Sequence, residues 1–327
     1  MVFAALSSSF SLAVFAKSNH HISLSHPISD ISVPLSPVPE PAPGPNQSQP
    51  TGIFDVRKFG ATSDGFTDDT DAFKLAWDTA CGTGGGSANS TILVPRGHSF
   101  VIQPTIFTGP CNSSIVFQID GTVMLPDGPE SWPLNKSKRQ WLVFYRINGM
   151  SMQGDGLIDG KGQKWWNLPC KPHKGVNGTT KPGPCDSPVA LRFFMSNNLT
   201  VQGLKIKDSP QFHFRFDGCQ NVLVQSLTIK APALSPNTDG IHIENTNNVE
   251  IYDSIISTGN HKTAISYGDK LERTNIGSLG VRNSSACVSN ITVTDSKIMY
   301  SKNGLRIKTW QGGSGAVSKF HMSLKLL

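Results

Sequence analysis

Charge is scarce in this chain: only 16% of its 327 residues are Asp, Glu, Lys or Arg, and no long run carries a helical apolar period. That excludes a helical bundle and argues against a doubly wound α/β fold. None of the six cysteines stands in a Cys-x-x-Cys pair, which removes the usual zinc-binding spacing. No cluster of Lys and Arg is interleaved with aromatics, so the sequence offers no footprint for nucleic acid. Beyond the first sixteen residues, no apolar stretch is long enough to span a bilayer.

What is abundant is Gly, with 31 residues, and Pro, with 22, a composition that suits a loop-rich β protein. The length suffices for one large domain with a sizeable core. A formal net charge of +6 and a pI near 9.0 favour an anionic partner. Acidic polysaccharide and anionic lipid both qualify on charge alone.

Residues 1–16 are apolar and rich in small residues, and they end in Val14-Phe15-Ala16. They are expected to be a secretory signal peptide, although the usual basic start is missing. Residues 17–51 contain Pro34-Leu35-Ser36-Pro37-Val38-Pro39-Glu40-Pro41-Ala42-Pro43-Gly44-Pro45, which can build neither a ladder nor a helix. They are read as a linker, and residues 52–327 as the folded domain. Eight Asn-X-Ser/Thr sequons, at Asn46, Asn89, Asn112, Asn135, Asn177, Asn198, Asn283 and Asn290, agree with a secreted, extracellular chain. In an oxidising compartment the cysteines would pair. Cys170 and Cys185 bracket a Pro/Gly/Lys loop and are the expected local bridge; the other pairings stay open.

Near the start, Asp68-Asp69-Thr70-Asp71 precedes Ala72, Phe73, Ala76 and Trp77. Acid at a helix N-terminus followed by apolar spacing of three to four predicts one short amphipathic helix, capping one end of the domain. The rest of the domain contains a repeat. Segments 198–206, 221–229, 248–256 and 290–298 each open on Asn and alternate β-branched with other residues, at offsets of 23, 27 and 42, the last read as two turns. Such self-similarity predicts an all-β parallel β-helix solenoid rather than a sandwich. Stacked Asn at equivalent corners are expected to bond to the Asn above and below. The last residues, Lys319–Leu327, show no repeat pattern.

Two polar islands interrupt the repeat: Ser235-Pro236-Asn237-Thr238-Asp239-Gly240-Ile241-His242-Ile243 and Leu305-Arg306-Ile307-Lys308-Thr309-Trp310-Gln311-Gly312-Gly313. Alone, the first reads as a turn and the second as a solvated strand face. Their order and their context of Asn-led repeats count against both bland readings. Hydrolysis of a glycosidic bond needs carboxyl groups on both sides of the linkage, and Asp239 is one. Arg306 and Lys308 lie two apart on a strand, so both point to one face, where they could hold sugar carboxylates.

The islands resemble two active-site motifs of the plant polygalacturonases, glycoside hydrolase family 28. Further matches are Phe54–Ala61 with Asp64–Thr70, Gly156–Gly162 with Trp165-Trp166, and Ser209-Pro210-Gln211-Phe212-His213. The resemblance runs from about residue 52 to about 317. It implies a right-handed parallel β-helix and inverting hydrolysis of the α-1,4-linked galacturonan of pectin, without a metal or other cofactor, by a monomer in the cell wall. Asp239 maps to the aspartate that helps activate water, Asn237 to its motif, and Arg306 and Lys308 to substrate binding. The family's paired-aspartate and Gly-His-Gly motifs have no counterpart. The corresponding stretch reads Thr258-Gly259-Asn260-His261-Lys262-Thr263-Ala264-Ile265-Ser266, and is short by about half a coil. His242, His261, Asp269 and Glu272 are the candidates to replace the lost acid, and Cys219 is expected to lack its usual partner. The expectation is therefore an impaired hydrolase, incomplete at its C-terminus. The alternatives are a catalytically dead β-helix that binds acidic polysaccharide or modulates active relatives, and a fragment that does not fold.

Overall fold

Alternating side chains along a strand can bury one set and expose the other only over a core. A computed structural model of the protein describes residues 52–83, 89–166, 173–174, 180–181, 187–232, 235–258, 274–280, 285–298, 305–309 and 312–324. Three parallel sheets wrap one core, each receiving one strand per coil. The first holds Ile53–Asp55, Ser90–Val94, Ile115–Ile119, Asn148–Gln153, Asn197–Gln202, Gln220–Gln225, Asn247–Tyr252 and Ser314–Leu324. The second holds Asp64–Asp68, Ser99–Val101, Thr122–Met124, Leu157–Asp159, Lys205–Lys207, Thr228–Lys230 and Ile255–Ser257. Ser285–Ile298 runs through both. The third holds Thr105–Thr108, Gln140–Tyr145, Val189–Phe194, Phe214–Asp217, Ile241–Glu244, Thr274–Leu279 and Leu305–Thr309. This is the predicted solenoid. Among the described residues, no helix is long and apolar enough to cross a membrane.

Register puts like over like. Leu199, Val222, Val249 and Ile291 stack in the first sheet, all buried. In the third, Phe107, Phe144, Phe193 and Phe216 form a column of stacked rings with centroids 5.2, 5.1 and 5.2 Å apart. At the corner where the first sheet begins, the expected asparagine ladder is present. Asn198 Nδ2 donates to Asn148 Oδ1 at 2.7 Å, Asn221 to Asn198 at 2.8 Å, Asn248 to Asn221 at 2.8 Å and Asn290 to Asn248 at 2.9 Å. The upper four sit at φ between 53° and 59°, a left-handed corner that Asn tolerates better than most residues. A second ladder of Gln118, Gln153, Gln202 and Gln225 runs along the far end of the same strands.

Two sequence expectations need correction. The 42-residue offset is one coil, because Asn247 pairs directly with Ser289 and Val249 with Ile291. The additional residues fall between the second- and third-sheet strands and after the third, so the strands themselves stay in register. The tail also belongs to the repeat. Ile291 pairs with Phe320 and Val293 with Met322, and Lys319, at φ 50°, follows Asn290 at the corner. Lys in place of Asn and a Phe-His-Met alternation hide this rung in the sequence.

The helix, α1 (Thr70–Gly82), buries Ala72, Phe73, Ala76, Trp77 and Ala80 on one face. Phe73 meets Phe100 at 5.5 Å and Trp77 meets Phe107 at 5.0 Å, closing the N-terminal end of the core as predicted. A Cys81–Cys111 disulfide ties its last turn to the coil below. Cys170 and Cys185 lie outside the described residues. Cys219 is a buried free thiol, its pKa pushed up to about 11 by burial, which fits a cysteine without its partner.

Candidate active site

The outward face of the third sheet carries two rows of polar and aromatic residues. Arg192, Arg215, His242, Asn275 and Arg306 occupy one register position. Tyr145, Phe194, Asp217 and Glu244 occupy the position two residues on. Phe193, Phe216 and Ile243 between them are in the core, so period two turns Arg192, Arg215 and His242, with Phe194, Asp217 and Glu244, outward.

The middle of these rows is an ion-pair network. Arg192 Nη2 donates to Asp217 Oδ2 at 2.5 Å, and Arg192 Nη1 to Gln140 Oε1 at 2.9 Å. Arg215 Nη2 donates to Glu244 Oε2 at 2.6 Å and lies 3.3 Å from Asp217 Oδ2. The Asp217 side chain is only 10% exposed, and two guanidinium groups face it there. Arg192 also lies over the Phe194 ring at 4.2 Å, and Tyr145 stacks on Phe194 at 5.4 Å.

Asp239 stands at the border of this face. Segments 125–139, 208–213 and 231–240 connect second- to third-sheet strands, so they meet the third sheet along one side. Asp239 lies in the third of them, directly before Ile241–Glu244, and is buried. Asn237 turns the chain at φ 58°, and the Ser235 and Thr238 hydroxyls lie 2.6 Å apart. Gly240 is required by close approach: a Cβ there would sit 2.6 Å from Ile256 Cγ2.

The Ser209–His213 motif explains how Asp239 is held. The Asp239 carbonyl accepts from the His213 backbone N–H at 3.0 Å and lies 3.2 Å from His213 Nδ1. The Ser209 N–H points at His213 Nε2 over 3.4 Å. Both contacts suit a neutral imidazole protonated on Nδ1. Burial drives the His213 pKa down to about 4, although its hydrogen bonds, the one to Asp239 first, pull the other way. Next to it, Phe212 stacks on His242 at 4.4 Å, and His242 Nε2 is 3.9 Å from Glu244 Oε2.

Holding His213 neutral makes stability depend on pH. Between pH 6.5 and about 4 the unfolded chain protonates His213 while the folded chain does not. The stability tied to its neutral form is therefore complete above pH 6.5 and drains away as pH falls toward 4, by about 3 kcal/mol in all. Urea unfolding of wild type and His213→Gln should show a difference that shrinks by about this amount from pH 7 to pH 4. A difference that stays constant with pH would mean that His213 is not held neutral.

Of the sequence candidates, then, Asp239 and Asn237 flank the third-sheet face, and Arg306 and Lys308 lie on a strand of that sheet. The backbone of Arg306 is two coils beyond His242, about 10 Å at the usual strand spacing. The side chains of Arg306 and Lys308, and His261, Asp269 and Glu272 entirely, lie outside the described residues. Sequence reasoning passes over Arg192, Arg215, Asp217 and Glu244. A signal is there: Leu191-Arg192-Phe193-Phe194, Phe214-Arg215-Phe216-Asp217 and Ile241-His242-Ile243-Glu244 each end three residues before an Asn- or Gln-led strand.

Comparison with known proteins gives the family and the fold. The sequence profile of Glycosyl hydrolases family 28 matches residues 84–324. A polygalacturonase of Cryptomeria japonica is 40% identical over 277 residues, which cover 81% of this chain and 52% of that protein. Polygalacturonase-2 of Solanum lycopersicum is 40% identical over 278 residues, covering 81% and 58%. The chain thus spans between half and three fifths of the length of these relatives. Among solved structures, the endo-xylogalacturonan hydrolase of Aspergillus tubingensis superposes with a TM-score of 0.58 at 23% identity, covering 83% of this chain and 72% of that one. A hyperthermoactive exopolygalacturonase of Thermotoga maritima gives 0.57 at 21% identity, covering 80% and 69%. At these identities the structures speak for the fold alone.

Proposed function

Because this chain belongs to family 28 of the glycosyl hydrolases, we propose that it acts on the α-1,4-linked galacturonan of pectin, by inverting hydrolysis that is impaired in this chain. The observation that carries the reading is the placement of Asp239 at the border of a face whose register row includes Arg306. A galacturonate unit carries one carboxylate, and a cation two coils from Asp239 would meet a neighbouring unit of the polymer. Arg192 and Arg215 are each bound to a carboxylate, so the anion-binding role falls to Arg306 and Lys308. Asn237 shapes the loop that presents Asp239, and Asp239 orients the attacking water.

Impairment rests on the sequence. Inversion needs a general acid opposite the base, and residues 258–269 contain no aspartate pair. That observation also favours a second reading, a β-helix that binds acidic polysaccharide without cleaving it. In either case the chain would be a secreted cell-wall protein, working as a monomer on an acidic polysaccharide and needing no cofactor.

The deciding experiment measures release of reducing ends from polygalacturonate by purified, folded protein, alongside its retention on immobilised pectate. Slow release supports the hydrolase; retention without release supports the binder; neither would sink both. Under both readings Arg306→Ala should weaken pectate binding by about 10- to 100-fold, the loss of one charge-assisted contact. Unchanged binding would remove Arg306 from the site.

A further inference from the structure

The asparagine ladder and the glycosylation sequons compete for the same atoms. Two of the eight sequons, Asn198-Leu199-Thr200 and Asn290-Ile291-Thr292, place their asparagine in the ladder. Asn198 is an inner rung: its Nδ2 donates to Asn148 while its Oδ1 accepts from Asn221. Asn290 donates through Nδ2 to Asn248, with Lys319 following it at the next corner. An N-linked glycan is carried on that same Nδ2. It would replace one of the two amide hydrogens, leaving one for the rung below, and would have to seat a sugar against a stack whose members repeat about every 4.8 Å.

Other sequons are constrained differently. Asn112 Nδ2 donates to the Gly82 carbonyl at 2.8 Å, one residue from the Cys81–Cys111 disulfide. Asn89 runs directly into a strand whose first residue, Ser90, is buried. Asn46, Asn177 and Asn283 lie outside the described residues. Asn135 is open. It sits at the tip of a turn closed by the Lys136 N–H to the Pro133 carbonyl at 3.0 Å, with Leu134, Lys136 and Ser137 all exposed.

We propose that Asn135 carries an N-linked oligosaccharide and that Asn198 and Asn290, though formally sequons, do not in the folded protein. A sugar crowded between neighbouring rungs disfavours folding of chains modified at the ladder, so the folded pool is depleted of them. The Asn135 glycan stands on connection 125–139, on the same side of the third sheet as Asp239 and toward the N-terminal end of that face. The proposal rests on the secretory reading, because glycosylation requires passage through the secretory route.

The test expresses the full chain in plant suspension cells, once with its own N-terminus and once behind a heterologous secretion leader. Secreted protein is deglycosylated in heavy-oxygen water and mapped by mass spectrometry. The expected result is a heavy-oxygen Asp at position 135 and unmodified Asn at 198 and 290. Asn135→Gln should remove one glycan's mobility shift. The double variant Thr200→Ala/Thr292→Ala destroys both ladder sequons without touching the ladder, and should leave mobility unchanged. A label at 198 or 290 in folded protein, or none at 135 behind the heterologous leader, overturns the proposal. A label at 135 only behind the heterologous leader sustains the site and refutes the secretory reading.

Discussion

Asp239→Asn is expected to lower the release of reducing ends from polygalacturonate by roughly 10²–10⁴-fold relative to the unmodified chain, the range for removing a positioned acid or base. Asn keeps the size of the side chain and its ability to hydrogen-bond in a buried position. It cannot take up the proton of an attacking water. The backbone that holds this residue is untouched, since His213 binds its carbonyl rather than its carboxylate. The melting temperature and pectate binding should therefore stay close to those of the parent. An unchanged rate with intact folding would show that Asp239 is no part of the hydrolytic machinery. Loss of rate together with loss of folding would show that its role is structural.

Asp217→Ala should cost about 2–4 kcal/mol of stability, the value for breaking a buried ion pair, reduced for the partial exposure of its partners. Two arginines converge on this carboxylate, at 2.5 and 3.3 Å, and its removal leaves Arg192 with Gln140 as its remaining acceptor in the network. Asp217→Asn, which retains an acceptor, should lose less. The double variant Arg192→Met/Asp217→Leu should recover much of the loss, since an apolar pair leaves no charge stranded in a half-buried site. Urea denaturation of wild type, Arg192→Met, Asp217→Leu and the double variant closes the cycle. Additive losses would mean that the network is a set of independent surface contacts.

Much of this molecule is legible along the chain because a solenoid writes its structure as a period. Asn198, Asn221, Asn248 and Asn290 recur at a fixed place in each repeat, and their hydrogen-bonded ladder is the physical cause of that recurrence. The capping helix is legible for a similar reason, since its buried face lies within a single amphipathic stretch. The rung at Lys319 is not, because register depends on pairing with Ile291 and Val293, and a Lys at the corner breaks the pattern without breaking the strand. The length of the last full coil is hidden in the same way. An offset of 42 residues does not say whether the chain between two rungs makes another turn or bulges outside the strands.

The sequence by itself determined the architecture, the position of Asp239 in a sharply turning segment, and the candidacy of Arg306 and Lys308. Each of these depends on local spacing or on a repeat, and both can be read along the chain. Only the tertiary structure decided that Arg192, Arg215, Asp217 and Glu244 form one network and that His213 supports Asp239 from the core. Arg192 and Glu244 are more than fifty residues apart in sequence but two strands apart in the sheet. Such a contact is set by how coils of unequal length come into register, and no local pattern encodes that length.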